Sequence, residues 1–171
     1  MSKVQYSDNF LSENEFIELN KVLYSSNFPW FAGKVLHDNE SIVDNKYNFQ
    51  LYHSFFLNPT TTSNFLSVVE PLYTKLNAGI LSRIKANLNP ATDKNIEHGM
   101  HIDTQDENIA KVQTTAVYYV NTNNGYTLFE DGTKINSVAN RIVKFPSYMK
   151  HTGSTSTDTQ RIVINLNYIE K

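Results

Sequence analysis

Apolar residues recur at helical spacing in two stretches of the first half of the chain. In the first stretch, a capping box of Ser12 and Glu15 precedes apolar positions three and four residues apart, which predicts a helix over 13–25. In the second, the same spacing runs over 61–78, but Pro71 removes a backbone donor from its middle. This stretch predicts one kinked helix or two abutting helices.

Most of the remaining sequence has the character of β-strands. Short runs of β-branched and aromatic residues alternate with clusters of Asn, Gly, Pro, Thr and Asp that are typical of turns. The two helical stretches precede most of these runs, an order that favours an α+β, mainly β protein with an antiparallel sheet pair or barrel. The predicted strands cover residues 47–57, 83–88, 113–121, 125–130, 141–145 and 161–169.

Length and composition narrow the class of protein. The 171 residues fit a single domain over 1–171, and a hydrophobic fraction of 40% with ten Phe and ten Tyr indicates a packed globular chain. Lys and Arg total 15 against 17 Asp and Glu, so there is no positive field to attract nucleic acid or anionic lipid. We therefore expect neither nucleic acid nor membrane as a partner.

The absence of cysteine limits the chemistry that the chain can perform. It excludes disulfides, thiolate metal sites and a cysteine nucleophile, so any metal ion must be bound by His, Asp or Glu. The N-terminus has no apolar segment of signal-peptide length, and no later apolar run approaches the ~20 residues that span a bilayer. We expect a soluble, cytoplasmic protein.

The segment EHGMHIDTQ, residues 97–105, contains the first candidate ligands. On a strand, residues two apart point to the same face, so His101 and Asp103 can present an imidazole and a carboxylate to one ion. Such a pair alone is weak evidence, because chance produces one in roughly every four chains of this composition. His151, ahead of the last strand, is a candidate third ligand, and two histidines with one carboxylate are the ligand set of non-haem Fe(II) oxygenases.

Arg161 begins the last predicted strand and is the candidate anchor for an anionic co-substrate. A guanidinium on a buried strand needs an anionic partner, and its planar fork matches a carboxylate bidentately. An ordinary salt bridge within the protein remains the alternative for this residue.

The order His101-Ile102-Asp103, His151 and Arg161 resembles the motif of the Fe(II)/2-oxoglutarate-dependent dioxygenases, most closely their prolyl 4-hydroxylase-like branch. The segment TTAVYYVN resembles the strand in which that branch contacts 2-oxoglutarate through a threonine and the second tyrosine. These residues correspond to Thr115 and Tyr119.

The segments NNGYTLFEDG and ANRIVKFPSYMKH resemble the part of that family that leads to its second histidine. The resemblance covers residues 80–169 and implies a double-stranded β-helix, or jelly-roll, core over about 80–169, with a helical buttress over about 10–80 packed on one sheet. One departure is Asn124-Gly125, where many relatives have two glycines.

The resemblance also implies roles for individual residues. His101, Asp103 and His151 correspond to the catalytic metal ligands for Fe(II), and Arg161, with Tyr119 and Thr115, corresponds to the site for the distal carboxylate of 2-oxoglutarate. The implied co-reactants are Fe(II), 2-oxoglutarate and dioxygen, with ascorbate as an optional reductant. The implied reaction is hydroxylation of an organic substrate, a prolyl or other amino acid side chain, with release of succinate and CO2.

Several alternatives stay open on the sequence. His98 could compete as a ligand, whereas His37 and His53 have no partner motif. Polar residues that alternate with apolar ones on two predicted strands could line a cavity or face water; they are Arg83, Lys85, Asn87, Asn165 and Asn167.

The function has alternatives as well. These are a non-enzymatic metal-binding jelly roll, a 2-oxoglutarate sensor, and a cupin-like metalloenzyme. The substrate is a peptide or a small molecule, and the loops predicted at 31–46 and 104–112 flank its entrance without identifying it.

Overall fold

The computed structural model describes residues 4–36, 42–44, 46–104 and 106–171. Its helices are α1 (Glu13–Leu23), α2 (Glu70–Lys75) and α3 (Glu107–Val112), with a 3-10 turn at Leu66–Val69. Its strands are β1 (Gln5–Ser7), β2 (Phe31–Gly33), β3 (Gln50–Leu57), β4 (Thr60–Thr61), β5 (Ala78–Asn89), β6 (Thr114–Tyr119), β7 (Tyr126–Phe129), β8 (Lys134–Asn136), β9 (Arg141–Pro146), β10 (His151–Gly153) and β11 (Arg161–Glu170).

The strands form two antiparallel sheets of unequal size. The main sheet has eight strands in the order β1-β9-β6-β11-β5-β3-β2, with β4 beside β3, and the smaller sheet has the order β10-β7-β8. Strands that are far apart in sequence, such as β5 and β11, lie next to each other, so the sheet depends on long-range pairing. The predicted α+β, mainly β class is confirmed.

Each face of the main sheet packs against a different layer, as the alternation along β11 illustrates. Ile162, Ile164, Leu166 and Tyr168 point towards the helices, where they share one core with residues of α1 and α2. Val163 points the other way, into a second core that includes Phe129 and Ile135 of the smaller sheet. Polar residues that share the parity of Val163 therefore point into the space between the sheets.

The first helix forms as its capping residues predict. The backbone N–H of Ser12 donates to Glu15 Oε2 at 2.8 Å, and the Ser12 hydroxyl caps the backbone N–H of Glu15 at 3.5 Å. Leu19 and Leu23 are buried against the main sheet, and the helix ends at Leu23, two residues before the predicted boundary.

The helical prediction for 61–78 was correct in kind and wrong in extent. Thr60–Thr61 is strand β4, and helical structure begins only at Leu66, as the 3-10 turn followed directly by α2. Pro71 lies in the first turn of α2, where a missing N–H costs no helical hydrogen bond.

The two predicted loops also require correction. Phe31–Gly33 pairs with β3 as an edge strand, while residues 37–41 and 45 of the same loop lie outside the described residues. Within 104–112, Asp106 caps helix α3 by accepting hydrogen bonds from Asn108 N at 2.8 Å and Ile109 N at 3.2 Å. None of the helices in the described part of the chain is long and apolar enough to cross a membrane.

Candidate active site

His101 and His151 lie directly opposite each other across a short antiparallel bridge. Each backbone N–H donates to the carbonyl of the other residue at 3.0 Å, and their ring centroids are 4.8 Å apart. Because residues paired across antiparallel strands project to the same face, the bridge brings together two imidazoles that are 50 positions apart in the sequence.

Both rings are held with the same nitrogen facing the site. His101 Nδ1 donates to the carbonyl of Gly99 at 3.2 Å, and His151 Nδ1 donates to the carbonyl of Met149 at 3.1 Å. Since a carbonyl only accepts, each Nδ1 carries a hydrogen, and in the neutral imidazole Nε2 is the nitrogen that presents a lone pair. Burial lowers the pKa of His151, which favours its neutral form.

The Asp103 carboxylate completes the group and is fixed through both of its oxygens. Oδ2 accepts hydrogen bonds from Asn167 Nδ2 at 3.0 Å and from the Thr115 hydroxyl at 3.3 Å, while Oδ1 is 3.1 Å from Arg83 Nη2. Burial raises the pKa of Asp103, but Arg83, His151 and Asn167 lower it by more in sum, so the pKa lies well below its usual range. The carboxylate is therefore ionised at neutral pH.

These three side chains fit a divalent metal ion. One ligand atom from each of His101, Asp103 and His151 lies within 4.8 Å of the others, and Asp103 Oδ1 is 3.9 Å from His101 Nε2. Two neutral imidazoles and one ionised carboxylate are the ligands of the facial triad that binds Fe(II). His98 is not a member of this group, because its Nε2 is bonded to the carbonyl of Tyr47 at 2.9 Å.

Arg161 is a buried cation without an acidic partner among the described residues. Its Nε donates to Ser137 Oγ at 3.0 Å and its Nη2 to Thr127 Oγ1 at 3.1 Å, and no described Asp or Glu forms an ion pair with it. Burial lowers the pKa of the guanidinium, which reflects the energetic cost of a desolvated charge.

Two glycines leave room for this guanidinium. A Cβ atom on Gly125 would lie 2.7 Å from Arg161 Cδ, and one on Gly153 would lie 3.2 Å from Arg161 Nη1. The Arg161 side chain therefore occupies the space that a side chain at either glycine would need.

One cavity joins the metal-ligand group to the arginine. It has a volume of about 670 Å³, and its walls include His101, Asp103, His151 and Arg161. The predicted metal ligands and the predicted anchor thus open into a single space between the sheets.

Tyr119 and Thr115 lie behind this cavity instead of in its wall. The Tyr119 hydroxyl donates to Thr127 Oγ1 at 2.7 Å, and Thr127 in turn accepts from Arg161. Thr115 is bonded to Ser147 Oγ at 2.8 Å and to Asp103, so it lies on the metal side. Their roles as contacts of 2-oxoglutarate stay predictions.

Sequence reasoning missed Thr127 and Ser137, the hydroxyls that orient Arg161. Thr127 is a polar residue within strand β7, between Tyr126 and Leu128, which is a weak signal that could have identified it. Ser137 lies just after β8 and has no local signal, because its contact with Arg161 spans 24 residues of sequence.

The polar residues whose orientation the sequence leaves open point towards the cavity. Arg83, Lys85, Asn87 and Asn165 are in its wall, and Asn167 is buried against Asp103. His53 has a structural environment, with Nδ1 2.8 Å from the Pro29 carbonyl and Nε2 2.7 Å from Ser63 Oγ. His37 lies outside the described residues.

The comparisons with known proteins are informative at the level of structure. No protein-family model matches the sequence, and no curated protein matches it significantly. Among solved structures, the chain is similar to a prolyl hydroxylase from Trichoplax adhaerens in complex with a hypoxia inducible factor peptide fragment. The TM-score is 0.69 and the identity 17%, over 98% of this chain and 84% of that one.

Two further structures are bacterial. A 2OG-Fe(II) oxygenase family oxidoreductase from Burkholderia pseudomallei gives a TM-score of 0.71 at 10% identity, over 98% of this chain and 85% of that chain. A prolyl-4-hydroxylase from Pseudomonas putida gives a TM-score of 0.59 at 12% identity, over 98% of this chain and 92% of that chain. The chain therefore has the fold of these oxygenases along nearly its whole length, and the predicted jelly-roll class is confirmed.

Proposed function

We propose that the chain is an Fe(II)- and 2-oxoglutarate-dependent oxygenase that hydroxylates an organic substrate, with a prolyl or other amino acid side chain as the first candidate. One observation carries the proposal. Arg161 is buried without an acidic partner among the described residues, in the wall of the same cavity as the His101, Asp103 and His151 group. A structural metal site has no need of such a cation, whereas a dicarboxylate that also binds the metal does.

The protein's part in metal binding is to hold three ligands in place before the ion arrives. The carbonyls of Gly99 and Met149 fix the two imidazoles, and Asn167 fixes the carboxylate. Bonds to the ligand residues of this kind commonly account for 10- to 100-fold in metal affinity. Low pH should weaken binding, because the imidazoles must be neutral.

The protein's part in co-substrate binding is a buried guanidinium in the cavity wall. Ser137 and Thr127 hold the guanidinium of Arg161, which leaves donors free for a carboxylate. In these surroundings a charge-assisted hydrogen bond is stronger than in water. Bound Fe(II) and 2-oxoglutarate would supply the oxidising chemistry, in which dioxygen, 2-oxoglutarate and a C–H bond give succinate, CO2 and an alcohol.

The proposal is tested by mixing metal-free protein with Fe(II) and then 2-oxoglutarate under anaerobic conditions. A keto acid chelated to Fe(II) gives a visible charge-transfer band, which should appear in the wild type and be absent in His151→Ala. In Arg161→Gln, the 2-oxoglutarate concentration that gives half of the maximal band should rise by on the order of 30-fold or more. Arg141→Gln is the matched control, because Arg141 pairs with Asp8 outside the cavity and its loss should leave the titration unchanged.

Admission of oxygen then separates the remaining functions. Succinate formation that requires Fe(II) and is lost in His151→Ala supports the oxygenase. Tight binding of 2-oxoglutarate without turnover, with or without candidate substrates, would instead favour a sensor. Metal binding without any 2-oxoglutarate binding would favour the non-enzymatic metal-binding module.

A further inference from the structure

Strand β5 presents a row of polar side chains to the cavity. Arg83, Lys85 and Asn87 alternate with Ile84 and Ala86, which are buried on the helical side of the sheet. Side chains two residues apart on one face of a strand are separated by roughly 7 Å. Lys85 and Asn87 are therefore neighbours that could both contact one small molecule.

Lys85 is a cation in the cavity wall without an acidic partner in the described residues. Its Nζ lies 4.9 Å from the centroid of the Tyr52 ring, and none of the described Asp or Glu residues forms an ion pair with it. Burial, and then the neighbouring Arg83, lower the pKa of Lys85 to about 8, and the charge of Asp103 offsets only part of this effect. An anion bound beside Lys85 would relieve this unfavourable charge.

Asn87 has an unsatisfied oxygen beside this lysine. Its Oδ1 is buried and accepts no hydrogen bond from the described residues. A buried polar atom without a partner costs on the order of 1–3 kcal/mol, so a donor bound at this oxygen would be favourable. The complementary group is an N–H or O–H donor.

The charge of the whole cavity favours an anion as well. Among the described residues of its wall, four are cationic, namely Lys34, Arg83, Lys85 and Arg161, and Asp103 is the one acidic residue. Fe(II) and the 2-oxoglutarate dianion carry equal and opposite charges, so their binding leaves the positive excess unchanged. A site of this sign attracts a negatively charged third ligand.

We propose that the substrate of this site is a small organic acid whose carboxylate binds Lys85 and whose N–H or O–H donor binds Asn87 Oδ1, as in a free α-amino acid. This inference rests on the proposed oxygenase function and makes it more specific. An internal residue of a peptide has a neutral backbone and would leave Lys85 without an anion.

The test uses pairs of ligands that differ in one charge. Protein saturated with Fe(II) and 2-oxoglutarate is titrated calorimetrically without oxygen, using each standard L-amino acid and its carboxamide, beginning with L-proline and L-prolinamide. N-acetyl-L-proline N-methylamide represents a residue within a peptide. We expect at least one free acid to bind, and its amide and the blocked residue to bind about tenfold more weakly or worse.

Variants of Lys85 test whether this residue causes the preference for the free acid over its amide. Lys85→Met should weaken the acid by about tenfold or more and leave the amide unaffected, while Lys85→Arg should retain the preference for the acid. Equal binding of acid and amide, or binding of the blocked residue alone, would overturn the inference. So would binding of none of the acids by protein that still gives the charge-transfer band.

Two further results distinguish the possible causes of failure. If Lys85→Met weakens 2-oxoglutarate and leaves the acid unchanged, Lys85 binds the co-substrate and the inference is wrong. If the wild type gives no charge-transfer band at all, the oxygenase proposal fails together with the inference.

Discussion

Asn167 of β11 holds the carboxylate of Asp103, which lies outside the strands. Its Nδ2 lies 3.0 Å from Asp103 Oδ2 and 2.9 Å from the Thr115 hydroxyl oxygen, so one amide group contacts both residues. Asn167 itself accepts a hydrogen bond from Arg83 Nε at 2.9 Å. The metal ligand is thus oriented by side chains from β5, β6 and β11, which are adjacent strands of the main sheet.

Replacing Asn167 by Leu should therefore weaken metal binding. The carboxylate loses the donor that fixes Oδ2, and we expect a loss of 10- to 100-fold in Fe(II) or Mn(II) affinity, measured by competition with a chelator. Asn165→Ala is the control, since Asn165 lies on the same strand and face and is not among the described residues that donate to Asp103. Equal metal affinity in the two variants would contradict a positioning role for Asn167.

Arg161→Met should stabilise the ligand-free protein. The native guanidinium is desolvated without an acidic partner in the described structure, and methionine, which is about as long as the aliphatic part of arginine, removes that cost. We expect the free energy of unfolding in urea, with a chelator present, to rise by about 1 kcal/mol or more. Unfolding at lower urea concentration than the wild type would show that the bonds to Ser137 and Thr127 outweigh the desolvation cost.

The same variant should lose its response to 2-oxoglutarate. A ligand that binds only the folded state raises the melting temperature as its concentration exceeds its dissociation constant. We expect metal-loaded wild type to be stabilised by millimolar 2-oxoglutarate and Arg161→Met to show no shift. Together the two results would show that Arg161 lowers the stability of the free protein and is needed for 2-oxoglutarate binding, a trade-off that is common at functional sites.

Gly125→Ala should impair co-substrate binding from outside the cavity wall. Its Cβ would lie 2.7 Å from Arg161 Cδ and 2.8 Å from Asn123 Oδ1, so the arginine must move. We expect 2-oxoglutarate affinity to fall about tenfold or more, as measured by the charge-transfer titration.

Gly132→Ala provides the comparison for that variant. Gly132 has a positive φ of 86°, and a Cβ atom there would have no neighbouring atom within 4 Å, so alanine strains the backbone without touching the site. Both variants should lose stability, by about 1–3 kcal/mol for Gly132→Ala, but only Gly125→Ala should lose co-substrate affinity. Parallel losses of affinity would mean that general destabilisation is the cause.

The parts of the site that could be predicted are those encoded locally or by strand parity. His101 and Asp103 are two residues apart, and Arg161 begins a strand whose alternation separates the two cores. Ser12 and Glu15 likewise predict their helix start within a single turn.

The parts that could not be predicted depend on which strands pair. The contacts of Arg83 with Asp103 and of Ser137 with Arg161 depend on the order and register of the strands. No single strand specifies that order or register. Helix α3 has six residues, too few for an apolar period, and β1 and β2 are three-residue edge strands. The main sheet supplies the pairing partners of β1 and β2, and helix α3 packs against β9.

His53 should make the stability of the protein depend on pH. Its ring lies among aromatic side chains, with centroids 4.4 Å from Phe28 and 4.7 Å from Phe55, and burial lowers its pKa. A histidine with a lowered pKa in the folded state binds protons more readily when unfolded. Its contribution to stability is therefore complete above about pH 6.5 and is lost as the pH falls through the lower pKa of the folded state.

The measurement compares the wild type with His53→Gln, which cannot titrate. His98 and His151 have pKa values lowered in the same direction, so the wild-type curve alone does not isolate His53. In the difference between the free energies of unfolding of the two proteins, contributions from the other histidines cancel if the sites are independent. We expect the stability advantage of the wild type to shrink steadily between about pH 7 and pH 5. A difference that is constant over this range would mean that the pKa of His53 is the same in the folded and unfolded states.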